Sequence, residues 1–417
     1  MSSEKYSRLC IAALALLASL AFCFLVFPDV SVGYHAVLDP DGLGRLGLGL
    51  WKYGTVSYFP DDQPSVSRGP LYPVFLAALL ALTNGWWPGC AQVGQCILFA
   101  ATCWLAGWMA SRLWGRGVGF LTSLACAIHP FLVWYTSRIL VEVVITFLFT
   151  ALLAAMLLLA LSPGVRKALL VGLILGLCIL AKSTFLPYVL WVPLALAVLK
   201  PRKIPGLQII LIPILAVAVV LPWTARNWVL TGKVIPVHVL AGAAALDGDA
   251  IVTHFGEAPF SLGVLGYAAG PERKALAAGV PPQITGPARE WYADMAMLKT
   301  SLRRHAQDPA FLVRKVAMNA VLFWTLGETK QKSAVIGLLL VPLVLLFIPS
   351  CVMVLRERRT RTFEGTCAAL LTLYYLSLLP VDAVARYSMP LVPALIMYSA
   401  GLTRFWLKEA PTADRVP

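Results

Sequence analysis

The sequence predicts an all-α polytopic membrane protein, and three observations carry the prediction. Of 417 residues, 59% are hydrophobic and only 13% are charged, which is more apolar surface than one aqueous core can hide. Long uncharged apolar runs recur along the whole chain. The net charge of +14 is gathered in short basic clusters between those runs. That is how cytoplasmic loops of membrane proteins are anchored, and it excludes a reading as a nucleic-acid-binding patch.

The first span is expected at residues 9–27, after Lys5 and Arg8. It is long enough to cross and ends in Phe-Pro-Asp without a small-residue cleavage site, so it reads as a retained helix and not as a secretory leader. Phe22 before Cys23 likewise argues against a lipidated cysteine. Residues 28–91 form a first outer loop, with a surface helix over 42–53 and an apolar run at 70–84. That run is short for a span and starts with Pro70 and Pro73, which predicts a re-entrant or juxtamembrane helix.

Further spans are expected at 92–111, 117–136, 140–162, 168–182, 184–199 and 206–223, with a kink at His129-Pro130. A second outer region, 224–333, reads as loop-rich up to Pro287. A helix then follows with Trp291, Met295, Leu298 and Leu302 on one face, stopped at Pro309. Arg314 and Lys315 make residues 310–326 an interfacial helix. The last spans fall at 334–355, 363–380 and 388–407, giving about ten in a single domain over 1–417 with no soluble C-terminal domain. Arg112, Arg166, Arg202, the Arg356 to Arg361 cluster and Lys408 then share the side of the N-terminus, which the positive-inside rule makes cytoplasmic.

The nine cysteines contain no C-x-x-C pair and lie mostly inside apolar runs, so neither a zinc site nor a disulfide scaffold is expected. Cys90 and Cys96 are the one pair left open for a bridge. His35 with Asp39 and Asp41 lacks a fixed geometry and a fourth ligand, and no metal site is predicted.

The chemistry is sought among charges that the positive-inside rule does not explain, because ionisable groups at a membrane boundary are costly and usually functional. Asp39, Asp41, Arg68, Arg138, Glu142, Lys182, Arg226, Asp382 and Arg386 come from scattered segments, yet the topology gathers them at one outer face. Each has a plain reading beside a functional one. An aspartate before the 42–53 helix caps it, or acts as a general base. Arg68, in Arg68-Gly-Pro-Leu-Tyr72-Pro, anchors a helix at the headgroups, or grips a phosphate with its planar fork. Arg138 and Glu142 form an i, i+4 ion pair, or Glu142 shares acid–base duty. Lys182 snorkels, or meets a ligand. Arg226, in Pro222-Trp-Thr-Ala-Arg-Asn, and Arg386-Tyr387-Ser-Met-Pro390 repeat the combination of a cation beside aromatic and proline residues at a boundary.

These motifs, in this order, resemble the membrane glycosyltransferases of the C-type (GT-C) fold. More narrowly they resemble the superfamily of protein O-mannosyltransferases, lipid A aminoarabinose transferases and lipopolysaccharide galacturonosyltransferases. The resemblance covers roughly residues 8–405. It implies transfer of a sugar from a polyprenyl-phosphate donor to a lipid A, glycan, lipid or protein acceptor, with inversion, at the periplasmic face of a bacterial cytoplasmic membrane. It casts Asp39 as the base, with Asp41 as substitute because the register is offset, and Glu142 as a second acid. Arg68 would contact the lipid-linked phosphate, and Arg226 and Arg386 with Tyr387 would line the same cavity; Tyr72, Arg138 and Lys182 are expected beside them as substrate-binding residues. Because two arginines can neutralise a monophosphate leaving group, no metal or other cofactor is expected to be required. The competing reading is a transporter or flippase for an anionic lipid, which would place charges near the bilayer midplane.

Overall fold

Apolar runs rich in Leu and Ala have no alternation of period two and fold as helices throughout. The computed structural model describes residues 3–26, 39, 41–58, 63–199, 204–255, 262–356 and 363–405, and contains no strand among them. His35 lies outside the described residues. Seventeen α-helices follow one another among the described residues. They are α1 (Ser3–Ala21), α2 (Leu43–Tyr53), α3 (Leu71–Leu82), α4 (Gly89–Trp114), α5 (Arg116–Ile128), α6 (Pro130–Thr136), α7 (Glu142–Leu161) and α8 (Val165–Ala181). After these come α9 (Tyr188–Leu199), α10 (Gly206–Thr231), α11 (Ala241–His254), α12 (Leu262–Ala278) and α13 (Gly286–Gln307). The last four are α14 (Pro309–Thr325), α15 (Lys330–Arg356), α16 (Phe363–Leu378) and α17 (Val392–Gly401).

By length and composition α4, α7, α10 and α15 are able to cross a membrane. A fifth crossing results if α5 and α6, bent by 52° at the expected His129-Pro130 break, count as one. The other expected spans are helical and apolar but shorter. The 12-residue α3 reaches only about 18 Å, well short of a bilayer core. Helix α7 is the axis of the bundle, with Phe149, Leu152, Leu153 and Met156 buried in the main apolar cluster. At the periphery, α10 exposes Ile210, Ile214 and Leu221, and α15 exposes Leu338, Leu345 and Ile348. Exposed apolar rows of this kind suit lipid, not water. Small residues let α4 and α5 touch: an ideal Cβ on Gly107 would fall 1.7 Å from the Ser123 hydroxyl, and one on Gly119 would fall 1.9 Å from that of Ser111.

The second outer region departs from the loop-rich expectation, since α11 and α12 lie before Pro287. The Ala-rich stretch 241–250 favours a helix despite its glycines, and burial on several sides erased the periodicity that would have announced it. On α13 the inward face is not the expected apolar one. Asp294, Met297, Ser301 and His305 are buried, while Leu302 is 56% exposed. The reason is polar satisfaction. Asp294 accepts hydrogen bonds from Gly242 and Ala243 amides at 3.1 and 3.0 Å and so caps α11.

Lys315 of α14 is also buried instead of reaching for headgroups. Its Nζ lies 2.7 Å from Asp249 Oδ1 on α11. His305 and Arg304 meet the same carboxylate at 2.8 and 3.0 Å. Pro309 both ends α13 and opens α14, whose first turn is capped by Asp308. All nine cysteines are free, and Cys96 faces Cys23 at 3.8 Å, not Cys90.

Candidate active site

A cavity of about 1250 Å³ opens between the bundle and the outer helices. Its walls come from segments far apart in sequence: Asp41, residues 68–72, α6, residues 138–142, residues 181–187, α11, Arg273, the start of α15, and residues 377–387. One wall is apolar, with Phe131 and Trp134 of α6 facing Val335, Ile336 and Leu339 of α15. The remainder carries charge.

Of the expected site residues, Asp41, Arg68, Tyr72, Arg138, Glu142, Lys182, Arg386 and Tyr387 line this cavity together. Arg386 is the hub, with Nη1 3.2 Å from Asp41 Oδ2 and Nε 3.9 Å from Glu142 Oε1. The same Glu142 oxygen is 3.7 Å from Lys182 Nζ, and that ammonium sits 4.0 Å above the Tyr387 ring. Glu142 Oε2 is buried without a hydrogen-bond partner. Burial would push the Asp41 carboxyl up, but Arg386 and Arg68 outweigh it and hold it below the usual carboxylate range. Burial raises the Tyr387 phenol, so it stays protonated and able to donate.

Two expected residues lie elsewhere. Asp39 is not among the lining residues; its Oδ2 accepts the Gly44 amide at 2.9 Å in the first turn of α2, which is the capping reading. Burial raises its carboxyl, partly offset by those amides. Arg226 also stays outside the cavity. Its Nη1 donates to the Ser65 carbonyl at 3.0 Å and its guanidinium stacks 4.2 Å from the Trp223 ring. Glu290 of α13 accepts the Val66 amide at 2.7 Å on the same stretch. Together they clamp the segment that presents Arg68. Tyr72 lines the cavity, yet its hydroxyl is committed to Gln95 at 2.9 Å. Residues 137–141 interrupt the helix between α6 and α7, so Arg138 does not stand one helical turn before Glu142; its Nη2 lies 3.9 Å from Glu328 Oε2.

Sequence reading missed His238, Asp247, Arg273, Glu328 and Lys332, all of which line the cavity. His238 Nε2 accepts the Ser183 amide at 3.5 Å, which leaves the proton on Nδ1, buried and without a hydrogen-bond partner. Burial, reinforced by Arg68 and Lys182, pushes this imidazole down to about 3, so it is a neutral donor. Of these, only Glu328 and Lys332 carry a signal in the sequence, the four-residue spacing of an ordinary ion pair, which does not by itself mark a site.

The pairing of these charges is incomplete in a definite way. Asp41, Glu142, Asp247 and Glu328 each have a cation within ion-pair distance. Among the described residues of the cavity, Arg68 and Asp382 have none.

No family model matches the sequence, and no curated protein sequence matches it. Solved structures do match its fold. An oligosaccharyltransferase of Archaeoglobus fulgidus in the apo form is 14% identical, with a TM-score of 0.59 over 97% of this chain and 51% of that one. The oligosaccharyltransferase AglB of the same organism, in complex with an inhibitory peptide and a dolichol-phosphate, is 13% identical, with a TM-score of 0.58 over 98% and 51%. The chain thus spans about half the length of these relatives. ArnT from Cupriavidus metallidurans, bound to undecaprenyl phosphate, is 14% identical over 96% of this chain and 79% of that one, at a TM-score of 0.43. The helical bundle of this chain has the fold of these oligosaccharyltransferases, in keeping with the C-type (GT-C) fold expected from its motifs.

Proposed function

We propose that the protein is an integral membrane glycosyltransferase that moves a sugar from a polyprenyl-phosphate donor to an acceptor at the outer face of a bacterial cytoplasmic membrane. The observation that carries this reading is Arg68: a guanidinium with no ion pair among the described residues, its Nε buried and unbonded, in a cavity with an apolar wall. Buried polar atoms are nearly always satisfied in a folded protein. A cavity that leaves Arg68 Nε, Lys182 Nζ and His238 Nδ1 without hydrogen bonds is built to receive an anion. The apolar wall between α6 and α15 accommodates an isoprenoid tail beside it. An archaeal oligosaccharyltransferase of like fold binds dolichol-phosphate, which agrees with a lipid phosphate there.

In this reading the acceptor oxygen attacks the anomeric carbon as the bond from that carbon to the phosphate oxygen breaks, with inversion. The acceptor proton passes to Asp41, which its low pKa keeps ionised at any neutral pH. Weak basicity is sufficient, because the proton leaves late, when the attacking oxygen has become acidic. Glu142 holds Lys182 and Arg386 at the rim of the phosphate site. Arg68, Lys182, Arg386 and His238 Nδ1 then stabilise the charge that develops on the departing phosphate. Metal-free transfer is part of the proposal.

The test is binding of decaprenyl phosphate to the full chain in lipid nanodiscs. Wild type is expected to bind, Arg68→Ala to lose about tenfold to a hundredfold in affinity, as loss of one charged contact gives, and Arg68→Lys to lose less. Equal affinity in wild type and Arg68→Ala would overturn the donor site.

A further inference from the structure

Arg68 has a counterpart of opposite sign in the same cavity. Asp382 lines it, is 7% exposed, and presents an Oδ1 that is buried without a hydrogen-bond partner. Its neighbourhood is built by close packing of two backbones. Gly248 of α11 lies so near the Val381 carbonyl that an ideal Cβ would sit 1.9 Å from that oxygen, and any side chain there would push the two apart. The contact brings Asp247, one residue before Gly248, towards Asp382, one residue after Val381. Asp247 already has a counter-ion, Arg273 of α12, whose Nη1 is 3.1 Å from both carboxylate oxygens. The trio therefore carries one net negative charge, located on Asp382. Nearby Lys315 is committed to Asp249, Arg386 to Asp41 and Lys182 to Glu142, and none of them is within ion-pair distance of Asp382. Two of the three groups, Asp247 and Arg273, stand on the outer helices α11 and α12.

We propose that Asp382, with Asp247 and Arg273 beside it, forms an acceptor subsite that binds an ammonium group, so that the acceptor is an amine-bearing sugar or headgroup. The proposal rests on the glycosyltransferase reading for the word acceptor. Its physical basis is independent: a buried lone carboxylate lacks the cation or donor that would offset its desolvation, and a primary ammonium supplies both charge and three hydrogen bonds. An anionic acceptor group is excluded at this wall by the same charge. Asp382 also shows the upward shift expected of a buried carboxylate facing a second one, to about 6, which leaves it ionised and ready for a cation at neutral pH.

The experiment uses the full chain in nanodiscs and titrates glucosamine against glucose at pH 7.5, with and without bound decaprenyl phosphate. Glucosamine is expected to bind at least about tenfold more tightly than glucose, the worth of one charged contact. Asp382→Asn is expected to bring the two sugars to equal affinity. Arg273→Gln frees a second carboxylate and is expected to tighten glucosamine binding, a direction that a merely structural role for these residues would not produce. Equal binding of the two sugars by wild type, or weakening in both variants, overturns the subsite. Loss of the preference when decaprenyl phosphate is bound overturns its assignment to the acceptor, since the amine would then occupy the donor's place. Failure of wild type to bind decaprenyl phosphate would instead strike the glycosyltransferase reading, and the two failures are read from separate titrations.

Discussion

Asp382→Asn should make the protein more stable, and only above a certain pH. Burial, then repulsion from Asp247, raises the Asp382 carboxyl from the usual aspartate value to about 6, against the pull of Arg386, Lys315 and Lys182. A carboxyl whose folded pKa exceeds its unfolded one binds protons more tightly in the fold, so its ionisation opposes folding. Below the unfolded value both states are protonated and there is no cost. The cost grows as pH rises between the two values and is complete above about 6. A difference of this size corresponds to about 3 kcal/mol at pH 8 and to less than about 1 kcal/mol near pH 4. Asparagine keeps the shape and removes the charge. The expected result is therefore a gain of about 3 kcal/mol in unfolding free energy at pH 8, measured by SDS titration in mixed micelles, shrinking to less than about 1 kcal/mol near pH 4. An equal gain at both pH values, or a loss at pH 8, would refute the view of Asp382 as an uncompensated buried charge.

Other predictions concern the groups around that charge. Lys315→Met leaves Asp249 buried with His305 and Arg304 as its remaining partners; a loss of about 3 kcal/mol is expected, near the lower end for breaking a buried pair, with the Asp249→Asn/Lys315→Met double variant closer to wild type in the same unfolding assay. Arg226→Ala should raise the Kd for decaprenyl phosphate by about threefold to tenfold, less than Arg68→Ala, because it loosens the Ser65 carbonyl and not the phosphate contact. Arg226→Lys should recover part of that loss. Sugar transfer, once a donor and acceptor pair is identified, is expected to persist in EDTA at the wild-type rate; a loss restored by a divalent cation would contradict leaving-group stabilisation by side chains alone.

The fold and much of the cavity were legible in the sequence for physical reasons that also mark where legibility ended. Apolar runs announce helices in lipid because the bilayer leaves the backbone no alternative. Charges at helix boundaries announce a site because they are expensive there, which is how Arg68, Glu142, Lys182 and Arg386 could be singled out together. Asp41 and Asp39 were harder to separate. They are two residues apart in the chain, and only three-dimensional placement sends one to Arg386 and the other to the Gly44 amide. The outer helices were least legible. Their inward faces are written in Asp294, His305 and Asp249, residues that a hydrophobic pattern assigns to solvent and that are buried here because each has a specific partner or cap. His238 gave no signal at all, since its role depends on Ser183, which lies 55 residues away in sequence.

The same distinction separates scaffold from site. Charges that build the outer region are saturated: Asp249 meets Lys315, His305 and Arg304, and Asp294 meets two amides. Among the charges that line the cavity, Asp41 and Asp247 are closely paired, but Glu142 is held only at long range, by Lys182 at 3.7 Å and by Arg386 at 3.9 Å, and Arg68 and Asp382 are left open among the described residues. A fold selected only for stability would have removed the open pair, since an apolar replacement avoids the desolvation cost outright. Keeping one cation and one anion unpaired within a single cavity has a physical rationale if a ligand brings the opposite charges in the same arrangement, a phosphate at Arg68 and an ammonium at Asp382. The stability gain expected of Asp382→Asn and the loss of amine selectivity expected of the same variant are then two measurements of one uncompensated charge, and they should move together across pH.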